Sequence, residues 1–335
     1  MLEALRVGAL YARLALRDRR AGARLRCVQD RTAAIGAEDI LLVACLRNEA
    51  FRMQAFAEHY RSIGVGRFLI VDNGGEDGLM DWASDQPDVS VWRTGDSYKD
   101  NAFGMLWCNA LLHRHGRGRW CVCVDPDEFL VYPYMRTRSL HALGDWLDAS
   151  GRPSFHCLML DAYSDRPLPR TRLASGQDPF EVCPYFDRDG YIQSPGWGSG
   201  VAIRGGPRMR THFRDRPFQA PALNKIPFVK WRWNTHYRSS THDAWPFELN
   251  RAERRRQGRR VPATTGALFH FKLVASLREK AVEEMRRGQH FDGSAEYEAY
   301  LRDRSGEFHV PGLSVRYEGP EQLAELGLIS AGRWF

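Results

Sequence analysis

The chain has 335 residues, 43% hydrophobic and 12% aromatic, with 48 Lys and Arg against 41 Asp and Glu for a formal charge of +7. That length supports a sizeable core, and the basic balance favours anionic partners such as nucleotide phosphates, anionic lipid or nucleic acid. No apolar run reaches the ~20 residues of a membrane span, and seven cysteines, an odd number with no C-x-x-C pair, read as small core residues in a reducing, cytoplasmic setting rather than a disulfide framework.

Residues 1–36 form a basic first segment. Between Met1 and Arg26 seven arginines stand against two acids, and Leu2, Leu5, Ala9, Ala12 and Leu16 recur at three- and four-residue spacing, which predicts an amphipathic helix. Arginines interrupt every apolar core a signal peptide would need. The stripe is expected to pack on the helix's own domain, with a peripheral contact on the inner membrane face as the second reading.

From Asp39 strands and helices alternate. Strands are predicted at Ile40–Leu46, Phe68–Val71, Val89–Trp92, Trp120–Val124 and Phe155–Leu160, and helices over Met53–Ile63, Leu79–Ser84, Phe103–His115 and Leu140–Leu147. The apolar run at residues 40–46 suits a strand buried on both faces. Repeated β-α units predict an α/β fold, with a mainly parallel, Rossmann-like sheet covered by helices on both faces. One domain is expected over residues 37–275, with a strand-rich half to about residue 165 and a loop-rich half from 166 that carries Trp197, Trp231, Trp233, Tyr237 and Trp245. Arg251 to Arg260, six arginines and one acid, reads as a solvated basic stretch. Residues 276–335, with helices predicted at Leu277–Arg287 and Ser294–Asp303, form a C-terminal helical cap.

The segment Trp120 to Phe129 is the most informative. An apolar, β-branched strand ends in Asp125-Pro126-Asp127, and two carboxylates on one rigid turn suit a hard divalent cation that keeps positions for water and phosphate. Ligands in such sheets bind beyond the carboxyl ends of the strands. There stand Arg47, Asn48 and Glu49 after the first strand, Asp72 and Asn73 after the second with Asp77 a turn later, and Asp125 and Asp127 after a later one. Together they form one rim able to grip a base, a ribose and a metal-bound diphosphate. Neither G-x-G-x-x-G nor a P-loop is present, so a metal ion is expected to take the phosphate charge.

These stretches resemble the bacterial family-two-like glycosyltransferases of the GT-A fold. The resemblance rests on Leu46-Arg47-Asn48-Glu49, His59-Tyr60-Arg61-Ser62-Ile63-Gly64, Val71-Asp72-Asn73-Gly74 and Asp125-Pro126-Asp127-Glu128-Phe129. Later stretches fit too: Leu160 to Asp165, Asn224 to Val229, Ser240-Thr241-His242 and Leu268 to Lys272. The match covers about Gly36 to Tyr300, with Gly75 standing where the family more often has serine. It implies a catalytic domain over residues 37–275, with a donor half to about residue 165 and an acceptor half from 166 whose aromatic rings could stack on sugars. It also implies a nucleotide-diphosphate sugar, a UDP-sugar favoured, as donor and a glycan or other hydroxyl acceptor, with no nucleic acid expected as partner. Asp125 and Asp127 would hold Mn²⁺ or Mg²⁺, with His270 as candidate third ligand, while Arg47, Asn48 and Glu49 would line the nucleotide pocket and Asp72 would sit by the base or ribose. Inverting transfer needs a general base; Asp161 is the first candidate because it follows the strand after the metal strand, His242 the second, with Asp165, Asp187 and Asp243 open. Two other readings compete: a non-catalytic carbohydrate- or nucleotide-binding protein, and an aspartate-based phosphatase. The phosphatase is disfavoured because Phe129 holds its fifth motif position and several strands precede the motif.

Overall fold

The computed structural model describes residues 2–195, 201–252, 254–256, 259–261, 263–288 and 306–334. The helix expected at residues 294–303 and Trp197 lie outside them. In chain order the first half holds α1 (Leu2–Ala23), β1 (Arg26–Gln29), β2 (Ile40–Leu46), α2 (Ala50–Ser62), β3 (Val65–Asp72), α3 (Leu79–Ser84), β4 (Val89–Arg93), α4 (Met105–His115), β5 (Trp120–Cys123), β6 (Glu128–Val131), α5 (Leu140–Ala149) and β7 (Ser154–Asp161). The second holds α6 (Pro179–Val182), β8 (Tyr185–Asp187), β9 (Ile192–Pro195), β10 (Val201–Arg204), α7 (Gly206–His212), β11 (Asn224–Lys230), β12 (His236–Tyr237) and β13 (Ala244–Trp245). After these come β14 (Arg254–Arg256), β15 (Arg259–Val261), β16 (Thr265–His270), α8 (Leu277–Arg287), β17 (Ser314–Arg316) and α9 (Pro320–Glu325).

Nine strands form one mixed sheet in the order β1-β4-β3-β2-β5-β11-β7-β16-β6. The α/β class holds and the sheet is mostly parallel in its core, though mixed: β11 slots antiparallel between β5 and β7, and β1 and β6 form antiparallel edges. The reversal at β11 leaves β7 running the same way as β5, and β16 runs parallel to β7. With β2, β3, β4 and β5 mutually parallel, six strands therefore point their carboxyl ends at one rim.

Strand β2 is buried throughout and divides its side chains with period two. Ile40, Leu42, Ala44 and Leu46 enter one core with Phe56, Tyr60, Leu143 and Phe269, while Leu41, Val43 and Cys45 enter the other with Trp107, Leu111 and Trp231. Six of the seven cysteines are buried, Cys27 is exposed, and all are free.

Two expectations change at the ends of the chain. Helix α1 packs on its own domain, but not through the described part of the predicted stripe: Ala9, Ala12 and Leu16 are exposed, and the helix meets α4 through the face that carries Leu14, buried Asp18 and buried Ala21. Residues 306–334 are more than a helical cap, since β17 pairs with β8 and Leu323, Ile329 and Trp334 join the larger core. No helix among the described residues is long and apolar enough to cross a membrane.

Candidate functional site

Strand register assembles the site. The Asp125-Pro126-Asp127 turn joins β5 to β6, and in β16 His270 lies opposite Asp161 of β7 on one side and Glu128 of β6 on the other. The Phe271 amide donates to the Asp127 carbonyl at 2.8 Å, which ties the turn to the end of β16.

His270 links two carboxylates. Its Nδ1 lies 2.8 Å from Asp161 Oδ1 and its Nε2 lies 3.5 Å from Asp127 Oδ2. Burial opposes a charged ring, but Asp127 and Asp161 on either side raise its pKa above the ordinary histidine value. Asp127 is buried too, yet His270 holds its carboxyl well below the usual range. Asp161 is sealed from solvent, with Oδ2 2.7 Å from Arg208 Nε. Burial works against its charge, and Arg208 and His270 pull its pKa down.

Asp125 is the open member of the set, its side chain 48% exposed to the cleft. The surrounding protein and the Glu128 carboxylate nevertheless push it up to about 6, against the pull of Lys225. Lys225, on β11, sits 2.8 Å from Glu128 Oε1 and 3.9 Å from Asp125 Oδ2. Burial disfavours its ammonium, but those two acids hold its pKa above normal. Glu128 in turn accepts from the Asp125 amide at 3.2 Å, so one buried Lys–Glu pair holds the turn in place. Sequence reasoning assigned no role to Glu128, Lys225 or Arg208. The first two lie inside motifs that were recognised, whereas nothing around Arg208 marks it.

A cleft of about 1510 Å³ opens from this rim, bounded by Asp125, Lys225, Arg208, His242 and Lys272. His242 donates from Nδ1 to the Asn224 carbonyl at 2.6 Å, which leaves Nε2 as the basic nitrogen. Burial and the nearby cations Lys225, Arg208 and His270 drive its pKa down to about 3. Asp243 also lines the cleft, paired with Arg238 at 2.7 Å. Asp187 is buried between Arg210 and Tyr163, and Asp165 lies beside Ser164; neither borders the cleft. Ala102 and Phe103, at φ 51° and 55°, build a strained loop at the cleft edge, a conformation kept only where surrounding structure enforces it.

The residues expected to take the nucleotide stand at the same rim but outside the lining of the cleft. Asp72 is buried and accepts from the Gly75 amide at 2.7 Å while its other oxygen pairs with Arg93 at 2.8 Å. Asn73 donates to the Asp96 carbonyl at 2.9 Å, Asn48 accepts from the Glu76 amide at 2.9 Å, and Asp77 accepts from the Ala50 amide at 2.5 Å, at the start of α2. Arg47 donates to the Asn73 carbonyl at 3.0 Å. Helix α8 lies over these strand ends, with Glu283 3.2 Å from Arg47 and Lys280 paired to Glu49, which also holds Arg52 at 2.7 Å.

A second cluster of ligand-type groups joins α1, α4 and β12. Asp18 Oδ2 lies 2.5 Å from His236 Nδ1 and 3.6 Å from His113 Nε2, and by residue type this trio could hold a metal ion. The hydrogen-bond directions favour another arrangement. Trp231 Nε1, an obligate donor, faces His113 Nδ1 at 3.3 Å, so the proton of the neutral ring belongs on Nε2, toward Asp18. Burial lowers the His113 pKa, while Asp18, although buried, is held below its normal value by the two rings. The cluster is thus a clasp of two imidazoles on one carboxylate.

No protein-family model matches the chain, and neither does any curated protein.

Proposed function

We propose that the chain is a metal-dependent glycosyltransferase of GT-A type that moves a sugar from a nucleoside-diphosphate donor, a UDP-sugar by preference, to a glycan or other hydroxyl acceptor with inversion. The observation that carries this reading is the Asp127–His270–Asp161 relay at the strand-end rim. Two ligands about 2.1 Å from a shared ion lie roughly 3–3.5 Å apart, and Asp127 Oδ2 and His270 Nε2 stand at 3.5 Å. Asp161 on Nδ1 fixes the tautomer that presents Nε2 as a ligand, the usual support of a metal-bound histidine. By residue type Asp125, Asp127 and His270 suit Mn²⁺ better than Mg²⁺, because an imidazole joins two carboxylates. Of the three, the pair Asp127 and His270 is the one at ligand spacing, and Asp125 would have to turn in to complete the set. Asp125, Asp127 and His270 would hold the ion, which would supply charge neutralisation at the leaving diphosphate.

The other groups divide the remaining work. Lys225 and Glu128 orient the Asp125 turn, and Lys272 and Arg208 add positive potential to the cleft. Arg47, Asn48, Glu49, Asp72, Asn73 and Asp77 shape the nucleotide end through internal hydrogen bonds. The role of base passes from Asp161, whose oxygens are both engaged and sealed, to His242. Its neutral ring can take the acceptor proton at Nε2, and the negative charge of a bound diphosphate offsets the cations that depress its pKa.

The test is a panel of nucleotide sugars assayed for release of nucleoside diphosphate with Mn²⁺ and with chelator. The proposal expects metal-dependent release from at least one donor. Binding of sugar or nucleotide with no release from any donor would assign a non-catalytic protein instead.

A further inference from the structure

Helix α1 has two faces with different uses. The inner face packs on α4 and carries Asp18, the sole acid among residues 8–23, which is 2% exposed and held by His113 and His236. The outer face presents Ala9, Ala12 and Leu16, the last 48% exposed, with Arg13, Arg17, Arg19 and Arg20 exposed around them. None of these four arginines has an ion-pair partner among the described residues, whereas Arg24 further along pairs with Asp96. Trp233 is 64% exposed and meets Tyr11 of α1 edge-on, ring centroids 5.7 Å apart, beside exposed Arg232. One exposed acid, Glu248, acts on the Tyr11 phenol.

We propose that this face docks on an anionic phospholipid bilayer, with α1 lying in the surface plane. Turning Asp18 inward removes the one acid of residues 8–23 from the outer face, so four arginines with no ion-pair partner among the described residues surround an apolar strip. That is the composition of an interfacial helix. Arginines meet headgroup phosphates at about 1 kcal/mol each, and the apolar strip of Ala9, Ala12 and Leu16 enters the headgroup boundary. A nucleic acid would use the arginines, and could stack a base on Trp233, but would have no use for the exposed Leu16 strip.

The experiment is co-sedimentation of the full chain with vesicles of phosphatidylcholine alone or mixed with phosphatidylglycerol. The proposal expects binding to the mixed vesicles only, weakening as salt is added. Arg17→Glu with Arg20→Glu should weaken it by more than ~25-fold, about fivefold per lost arginine. Leu16→Glu should cost at least about tenfold, since a charge then enters the apolar strip. Both variants should keep the wild-type circular dichroism and melting temperature, because these side chains point away from the protein. Arg188→Glu with Arg316→Glu changes net charge equally on exposed sites elsewhere, and should bind as wild type. Absence of binding to mixed vesicles, equal binding to both kinds, or equal loss in the Arg188/Arg316 variant would overturn the proposal. So would self-association that Leu16→Glu abolishes, which would assign the face to a second copy of the chain.

Discussion

In the proposed function His242, the second candidate for general base, takes that role in place of Asp161, the first, and the assignment is testable side chain by side chain. Asp161→Asn keeps the shape but removes the charge that supports His270 and neutralises buried Arg208. Metal affinity should fall roughly 10- to 100-fold, as when other supports of ligating histidines are removed, and the melting temperature should drop. Titration calorimetry with Mn²⁺ and a thermal melt check both. His242→Gln should leave metal and nucleotide binding intact while transfer falls about 10²- to 10⁴-fold, the usual contribution of a general base. If His242→Gln transfers at the wild-type rate while Asp243→Asn does not, the base is Asp243. Position Asp161 at a strand end was legible in the sequence; its burial was not, because the His270 contact depends on the β7–β16 register and the Arg208 contact on a helix 47 residues downstream.

At the scale of elements, the strands that read most clearly were those with continuous apolar runs, and β2 was expected at the bounds it has. Strands β6, β11 and β16 escaped notice because Pro227 interrupts β11 and short runs such as residues 128–131 carry no distinctive period. Close packing explains one glycine among them. A Cβ on Gly266 would meet the Val131 carbonyl at 2.6 Å and the Phe155 ring at 2.7 Å, so Gly266→Ala should cost about 1–3 kcal/mol by overpacking, readable as a lower denaturation midpoint. Helix α1 was foreseen as amphipathic, but its apolar stripe pointed the wrong way in that reading, since the clasp that orients it draws on α4 and a strand 218 residues from Asp18. Asp18→Ala leaves buried His236 and half-buried His113 without their acceptor, a loss of order 1–3 kcal/mol for the buried ring and less for the other. Trypsin should then cut at the α1 arginines well before the rest of the chain unfolds.

For the whole molecule, acid is the condition that forces charge onto half-buried histidines. His59, whose Nε2 donates to the Leu130 carbonyl at 2.9 Å, and His156 are both pushed down to about 4, by burial above all. An unfolded histidine titrates near 6.5, so as pH falls below that value the unfolded chain binds protons that the folded one refuses. The stability these two rings contribute is therefore full above about pH 6.5 and declines until about pH 4, where the folded state protonates as well, while Asp125, held up to about 6, works in the opposite direction over the same range. The difference in denaturant midpoint between the wild type and His59→Gln should trace the histidine part of that decline. The same folded architecture places the carboxyl ends of six strands on one rim, and the account of function depends on that rim binding a metal and a diphosphate together. Calorimetric titration of UDP with and without Mn²⁺, in the wild-type chain and in Asp127→Ala and His270→Ala, tests this most directly. Binding that requires Mn²⁺ in the wild type and vanishes in both variants is the predicted result; UDP binding indifferent to the metal, or retained in both variants, would contradict it.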